Sequence, residues 1–188
     1  MQNIVILYCG LILFKENLMK RLLLIAAFST LLMAQSEKVS ITPVVGGSVN
    51  SDDTNLDNDY SYGLRIDFNR DVSDNDLIAN RLQLAVDYSE GAYKGFGEAN
   101  VLRMGANALW DFDKNGKVSP FILAGIGYQA FEHGVIDENE DGIYAAFGAG
   151  IEVKLDDSVN LVLEGKDMIS TNQNNYFLGN IGIRYKMY

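Results

Sequence analysis

Cysteine and histidine each occur once in the 188 residues. One thiol cannot form a disulfide framework or a multi-thiolate zinc site, and one imidazole cannot form a multi-histidine metal centre. Basic residues are the minority, 15 Lys and Arg against 25 Asp and Glu, for a formal net charge of −10. That balance excludes the basic surface that nucleic-acid binding needs. Long apolar runs are lacking too. Ile4–Phe14 and Leu22–Met33, separated by Lys15, Glu16, Asn17, Lys20 and Arg21, both fall short of the roughly 17–20 residues of a spanning helix. No sustained helical period and no internal repeat is present. What is abundant is 18 Gly, 10 Tyr and 9 Phe within a 48% hydrophobic composition, which suits one β-rich domain rather than a disordered chain or a coiled coil.

Lys20-Arg21, the apolar run Leu22–Met33, and Ala34 before Gln35-Ser36-Glu37 have the order of an export signal: basic, apolar, then a small residue at the cut. Residues 1–34 are therefore expected to be an upstream extension plus a signal peptide, with translation starting at Met19, and residues 35–188 the folded domain. Cleavage would remove Cys9.

Beyond Ala34 the pattern alternates with period two. Tyr60, Tyr62, Leu64, Ile66 and Phe68 fall on one face of Asp59–Asn69, opposite Ser61, Gly63, Arg65, Asp67 and Asn69. The same alternation runs through Val39–Val49, Arg81–Ser89, Ala99–Phe112, Val118–Phe131, Gly142–Leu155, Val159–Met168 and Tyr176–Met187. These eight segments are each long enough for a tilted strand of about 9–11 residues to cross a bilayer. Asp113-Lys114-Asn115-Gly116-Lys117 and Asp156-Asp157-Ser158 read as tight reversals.

Alternation leaves open which face is wet. The polar face carries Gly46, Gly63, Gly105, Gly125, Gly127, Gly148, Gly150 and Gly182. Solvent has no use for so many strand glycines, whereas a cramped interior does. The same face mixes Arg65, Arg81, Arg103, Lys154, Lys166, Arg184 and Lys186 with Asp67, Asp87, Asp111, Glu152 and Glu164. The apolar face has aromatics near segment ends: Tyr60, Tyr62, Tyr88, Tyr128 and Phe177 at one rim, Phe68, Trp110, Phe112 and Tyr185 at the other. Two aromatic belts are what lipid interfaces select. The expectation is an all-β, eight-stranded, antiparallel, up-and-down transmembrane barrel, polar side inward, in the bacterial outer membrane.

Ser119-Pro120-Phe121-Ile122-Leu123-Ala124-Gly125-Ile126-Gly127-Tyr128 is similar to a strand of the small outer-membrane β-barrels. Overall, the chain from about Val39 to Tyr188 resembles the OmpA-type eight-stranded transmembrane domain. The ending with Gly182, Ile183, Tyr185, Met187 and Tyr188 resembles the C-terminal strand read by the barrel-assembly machinery, although Tyr188 is one residue out of phase with the outward positions. The resemblance implies a periplasmic N-terminus, loops near 50–58, 90–98, 132–141 and 169–175 outside, and turns near 70–80, 113–117 and 156–158 inside. It carries over no cell-wall tether, since no peptidoglycan-binding segment follows the barrel.

Candidate sites are few. A structural charge network in the lumen is expected from Arg65, Arg103, Glu152, Lys154, Glu164, Lys166 and Arg184, with Glu152, Glu164 and Arg184 meeting on one inward face. Acidic loops (Asp52, Asp53, Asp57; Glu132, Asp137, Glu138, Glu140, Asp141) read first as solvated surface, second as seats for divalent cations near lipopolysaccharide. Asp111-x-Asp113-x-Asn115-Gly116 and Asp137-x-Asn139-x-Asp141-Gly142 begin like calcium loops, but Ile122 and Gly148 stand where a bidentate Glu is required, so both read as turns. His133 is followed by Gly134, Val135 and Ile136 and is paired with no nucleophile. No catalytic residue, cofactor or metal is expected. The function expected is a non-enzymatic envelope or surface-interaction barrel, monomeric, in contact with outer-membrane lipid and lipopolysaccharide. A narrow porin-like pore or a lipid A-modifying enzyme are the alternatives.

N-terminal sequencing of membrane-extracted protein should show Gln35 or a near neighbour first; an intact Met1 or Met19 would refute processing near Ala34.

Overall fold

The computed structural model describes residues 38–50, 59–69, 79–93, 97–113, 116–133, 141–171 and 175–187. The expected export segment, the start at Met19, Tyr188 and most of the acidic loop residues lie outside the described residues. Eight strands follow one another: β1 Lys38–Asn50, β2 Asp59–Asn69, β3 Arg81–Tyr93, β4 Gly97–Asp111, β5 Val118–His133, β6 Gly142–Lys154, β7 Val159–Ser170 and β8 Tyr176–Met187. Each pairs antiparallel with its chain neighbours, and β1 pairs with β8, so the sheet closes into a barrel without an edge.

The alternation in sequence becomes inside and outside. In β8, Tyr176, Leu178, Asn180, Gly182 and Arg184 are buried while Phe177, Ile181 and Tyr185 are exposed. Around the barrel the exposed set is apolar, with Val45, Leu64, Val86, Ile126, Phe147, Ile151 and Leu163 among it. Arg65, Asp67, Arg81, Asp87, Arg103, Lys166 and Arg184 are buried. A water-soluble barrel would have these faces exchanged; charges inside and hydrocarbon outside suit a protein whose solvent is lipid.

Register fixes the width. Stepping from Ser40 through its paired partners Asp67, Gln83, Asn107, Gly125, Ala146, Met168 and Tyr176 returns to β1 at Asn50, ten residues from the start. Eight strands with that stagger, at the usual rise and spacing, tilt by about 40° and enclose a backbone cylinder of radius about 8 Å. Such an interior is filled by side chains meeting from opposite walls.

Short side chains make the turns at one end. Asp156 Oδ1 accepts from the backbone N–H of Ser158 (2.7 Å) and Val159 (2.8 Å). Asp113 Oδ1 accepts from Gly116 N–H at 2.8 Å, so the calcium-loop beginning at Asp111 is a turn device. At the opposite end Asp141 joins the β5–β6 hairpin by accepting from Phe131 N–H and the Tyr128 hydroxyl, both at 2.9 Å.

Two expectations about the ends are corrected. Strands β3 and β4 continue to Tyr93 and from Gly97, so the loop expected at 90–98 is mostly strand. Ladder bonds persist past the point where lipid stops imposing alternation. Phe68, expected in an aromatic belt, is only 1% exposed. It stands between Val39 and Leu82 in register; parity gives the direction a side chain leaves the strand, not what lies over it.

Ile126, at mid-strand and 69% exposed, should face hydrocarbon. Ile126→Arg should cost about 2–4 kcal/mol of unfolding free energy from lipid vesicles, measured by urea titration; an unchanged midpoint would place that face elsewhere.

Candidate functional site: the ion-paired lumen

The inward positions bring charges of opposite sign together in two closed circuits. In the first, Arg65 Nη2 lies 2.8 Å from Asp87 Oδ1 and 3.2 Å from Glu164 Oε1. Lys166 Nζ lies 3.0 Å from Asp87 Oδ2 and 3.7 Å from Glu164 Oε1. Two cations and two anions from β2, β3 and β7 thus alternate around a ring. In the second, Arg184 Nη2 lies 2.7 Å from Asp67 Oδ2, and Arg81 Nε 3.8 Å from Asp67 Oδ1. Both arginines also pair with Glu152 Oε1, and Arg81 Nη2 reaches Asp111 Oδ1 at 3.1 Å. Strands β2, β3, β4, β6 and β8 meet there.

Neutral amides complete the carboxylates. Gln83 Nε2 donates to Asp67 at 3.0 Å while its Oε1 accepts from Asn107 Nδ2 at 2.8 Å. Asn160 Nδ2 donates to Glu152 at 3.0 Å and Asn180 Nδ2 to Glu164 at 3.4 Å. Arg103 donates to Ser89 Oγ at 2.7 Å and its guanidinium stacks 4.6 Å from the Tyr176 ring centre; Arg81 stands 5.1 Å from that of Phe121. Buried charges persist when paired and hydrogen-bonded, and removal of one partner leaves the other uncompensated at about 3–5 kcal/mol.

Glycine makes the room. A Cβ on Gly105 or Gly127 would run into Tyr144, and one on Gly150 into the Phe121 ring. Tyr144 and Phe121, both inward and nearly wholly buried, lie across those bare stretches of backbone. Apolar side chains fill the rest: Tyr144, Ala146, Met168, Tyr176 and Leu178 in one cluster, Leu109, Phe121, Leu123 and Val162 in another.

The structure places Arg65, Arg103, Glu152, Glu164, Lys166 and Arg184 in the lumen as buried residues. It corrects the expected grouping twice. Lys154 is not part of it: its side chain is 45% exposed and pairs with Asp157 at 2.6 Å in the β6–β7 turn. The hydrogen bond and charge of Lys154 lower the Asp157 pKa; their benefit is present above the ordinary carboxylate pKa and fades on acidification through the depressed value, and it is small at so open a site. Glu164 and Arg184 belong to separate circuits, because on the paired strands β7 and β8 Glu164 stands opposite Asn180 and Arg184 opposite Asn160, four residues apart along the hairpin. Asp67, Arg81 and Asp87, legible only as members of the mixed-sign face, complete the two rings, and Asp111 pairs with Arg81 beside the second.

On the outside, Tyr60, Tyr62, Phe112, Phe177 and Tyr185 are exposed, and Tyr88, Trp110 and Tyr128 partly so. Tyr62 and Tyr88 stack with centroids 5.3 Å apart, and the Tyr62 hydroxyl donates to Glu90. In β8, Gly182 points inward while Ile183, Tyr185 and Met187 alternate outward, and the strand seals the barrel against both β7 and β1.

A closed eight-stranded barrel, apolar outside and ion-paired inside, is a transmembrane β-barrel. The chain belongs to the outer membrane protein beta-barrel family, whose domain model matches residues 21–186, and it is a bacterial outer-membrane protein. Similar solved structures agree on the fold. Neisserial surface protein A is 16% identical with a TM-score of 0.53, covering 80% of this chain and 96% of that one. The N-terminal barrel domain of Pseudomonas aeruginosa OprF is 17% identical with a TM-score of 0.51, covering 79% and 97%. Ail, the attachment invasion locus protein of Yersinia pestis, is 16% identical with a TM-score of 0.50, covering 80% and 97%. No curated protein sequence matches the chain.

Double-mutant cycles should separate the circuits. Arg65→Gln with Glu164→Gln should depart from additivity by about 0.5–3 kcal/mol, whereas Glu164→Gln with Arg184→Gln should add within about 0.5 kcal/mol. Equal coupling in both pairs would contradict two rings.

Proposed function

We propose that this chain is a non-enzymatic outer-membrane barrel whose body is a closed plug and whose work is done by its lipid-facing and extracellular surfaces, in envelope structure or surface interaction. The observation that carries this reading is the alternating charge pairing of the lumen, backed by Tyr144 and Phe121 over the glycine stretches. A conduit would need those charges facing water, and here they face each other. Neisserial surface protein A is a surface protein by name and Ail an attachment invasion locus protein by name, and a surface role is the counterpart proposed here. His133 is followed by Gly134, Val135 and Ile136 rather than by the His-x-Ser-Asn signature of a lipid A deacylase. The partners proposed are outer-membrane lipid and lipopolysaccharide, the barrel-assembly machinery through Gly182–Tyr188, and divalent cations at the acidic loops. The barrel is taken as a monomer without nucleic-acid contact.

The test is conductance across planar bilayers together with lipid A mass spectrometry. Purified protein should add no steady single-channel steps, and expression should leave the lipid A acyl pattern unchanged. Steps of reproducible size would favour the pore, and acyl-chain loss or gain the enzyme.

A further inference from the structure

The closing seam of the barrel contains a break. In the other seven strand contacts the paired register runs on without a gap through the described residues. Between β1 and β8 it runs from Val39 opposite Met187 to Ile41 opposite Tyr185, and resumes only at Val44 opposite Gly182. The skipped positions are Thr42, in line with Arg184, and Pro43, in line with Ile183. On the other side both residues pair normally with β2, Thr42 with Arg65 and Pro43 with Leu64. The nitrogen of Pro43 therefore faces β8, and it has no hydrogen to give the Ile183 carbonyl. Proline within a sheet is confined to edges, strand starts and bulges. The chain's other proline keeps to the rule, since Pro120 lies one residue beyond the last β4–β5 pair, Asp111 with Phe121. Pro43 lies within β1, in a wall that has no edge.

The break falls inside the lipid band. Pro43 is exposed on the outer face, two residues along β1 from Ile41, the partner of the belt residue Tyr185. At the tilt derived above, two residues rise about 5 Å from that belt. Hydrocarbon there has no donor to offer the Ile183 carbonyl. The second circuit stands directly behind. Arg184 pairs with Asp67 and Glu152, and the Thr42 hydroxyl lies beside Asp67. Arg184 Nε and the Oγ of Ser40, both on buried residues, have no hydrogen-bond partner among the described residues. Gly182 has no side chain to cover the break from within, and a Cβ there would strike the Pro43 carbonyl.

A carbonyl, a hydroxyl and an N–H are thus left over on two facing strands. Water satisfies such a set, typically with about three hydrogen bonds per molecule. We propose that the seam at Pro43 is a lateral water gate: β1 and β8 part there more readily than any other strand pair, and water from the periplasmic boundary reaches the second circuit through the wall. The gate goes beyond the closed-plug reading and is independent of it, because water entering from the side needs no path along the barrel axis.

The probe is water itself, read by hydrogen–deuterium exchange of the mature protein folded in phosphatidylcholine vesicles. Amides of residues 40–45 and 181–186 should exchange about tenfold faster than those of 105–109 and 123–127, which pair across the β4–β5 wall. Pro43→Val and Pro43→Ala each restore an N–H, so either should slow the seam towards the β4–β5 rate, while Pro120→Ala should leave the seam unchanged. A thiol introduced by Thr42→Cys reads the direction of entry. A water-borne methanethiosulfonate should modify it about tenfold more slowly once Pro43→Val is added. Seam amides as protected in the parent as those of β4–β5 would overturn the proposal. So would seam exchange left unchanged by whichever Pro43 variant keeps its folded gel band. Thiol modification at an undiminished rate would mean that water arrives along the axis, and would equally overturn lateral entry.

Discussion

An unpaired backbone amide or carbonyl in hydrocarbon costs several kcal/mol, and lipid offers nothing to pair it. The closure of β8 on β1 answers that constraint, and the remaining features follow from it. With eight strands and a ten-residue stagger the cylinder is about wide enough for its own side chains to fill. What points inward must pack and pair within the protein. The alternating rings around Arg65 and Arg184, the amide bridges of Gln83, Asn107, Asn160 and Asn180, and the glycines under Tyr144 and Phe121 are three forms of one solution.

The same constraint explains why charge lies where an ordinary protein has its core. A buried ion pair is often no better than a hydrophobic replacement of the same volume, so the rings are not there for stability alone. On a period-two strand the lipid face takes the hydrophobic residues, and the inward residues must differ from them for the strand to know its sides. A polar interior makes a one-residue register slip prohibitive, because a slip of β2, for example, would put Arg65 and Asp67 into lipid together. The charges thus specify register, and their pairing keeps the cost tolerable.

Legibility in the sequence divides along the same line. Strand number, direction and sidedness are written in the alternation of Asp59–Asn69 and its counterparts, because lipid and lumen impose opposite demands on successive residues. Glycine on the polar face signalled a crowded interior for a steric reason that the Tyr144 and Phe121 contacts make concrete. Contact partners were not legible. Adjacent positions in register, such as Glu164 and Asn180, can be counted from hairpins, but pairs across the lumen depend on the stagger, which joins Arg65 to Glu164 and Arg184 to Asp67. Depth was not legible either: Lys154 has the inward parity yet stands at the rim, and Phe68 has the outward parity yet is covered.

If the lumen is spent on holding the barrel together, what can distinguish one such protein from another lies outside the cylinder wall. Within the wall an inward change disturbs a closed circuit, and an outward apolar change between aliphatic residues alters little. The outward positions that break this uniformity therefore carry the information. They fall on two sides of the barrel. Tyr60, Tyr62, Tyr88 and Glu90 give β2 and β3 a hydroxyl-rich, acid-tipped rim, while Phe147, Asp167 and Phe177 give β6 to β8 a carboxylate framed by hydrocarbon. A barrel that only needed to be inserted would have no reason to differ between its sides. This asymmetry presents a different chemistry to lipid on each flank.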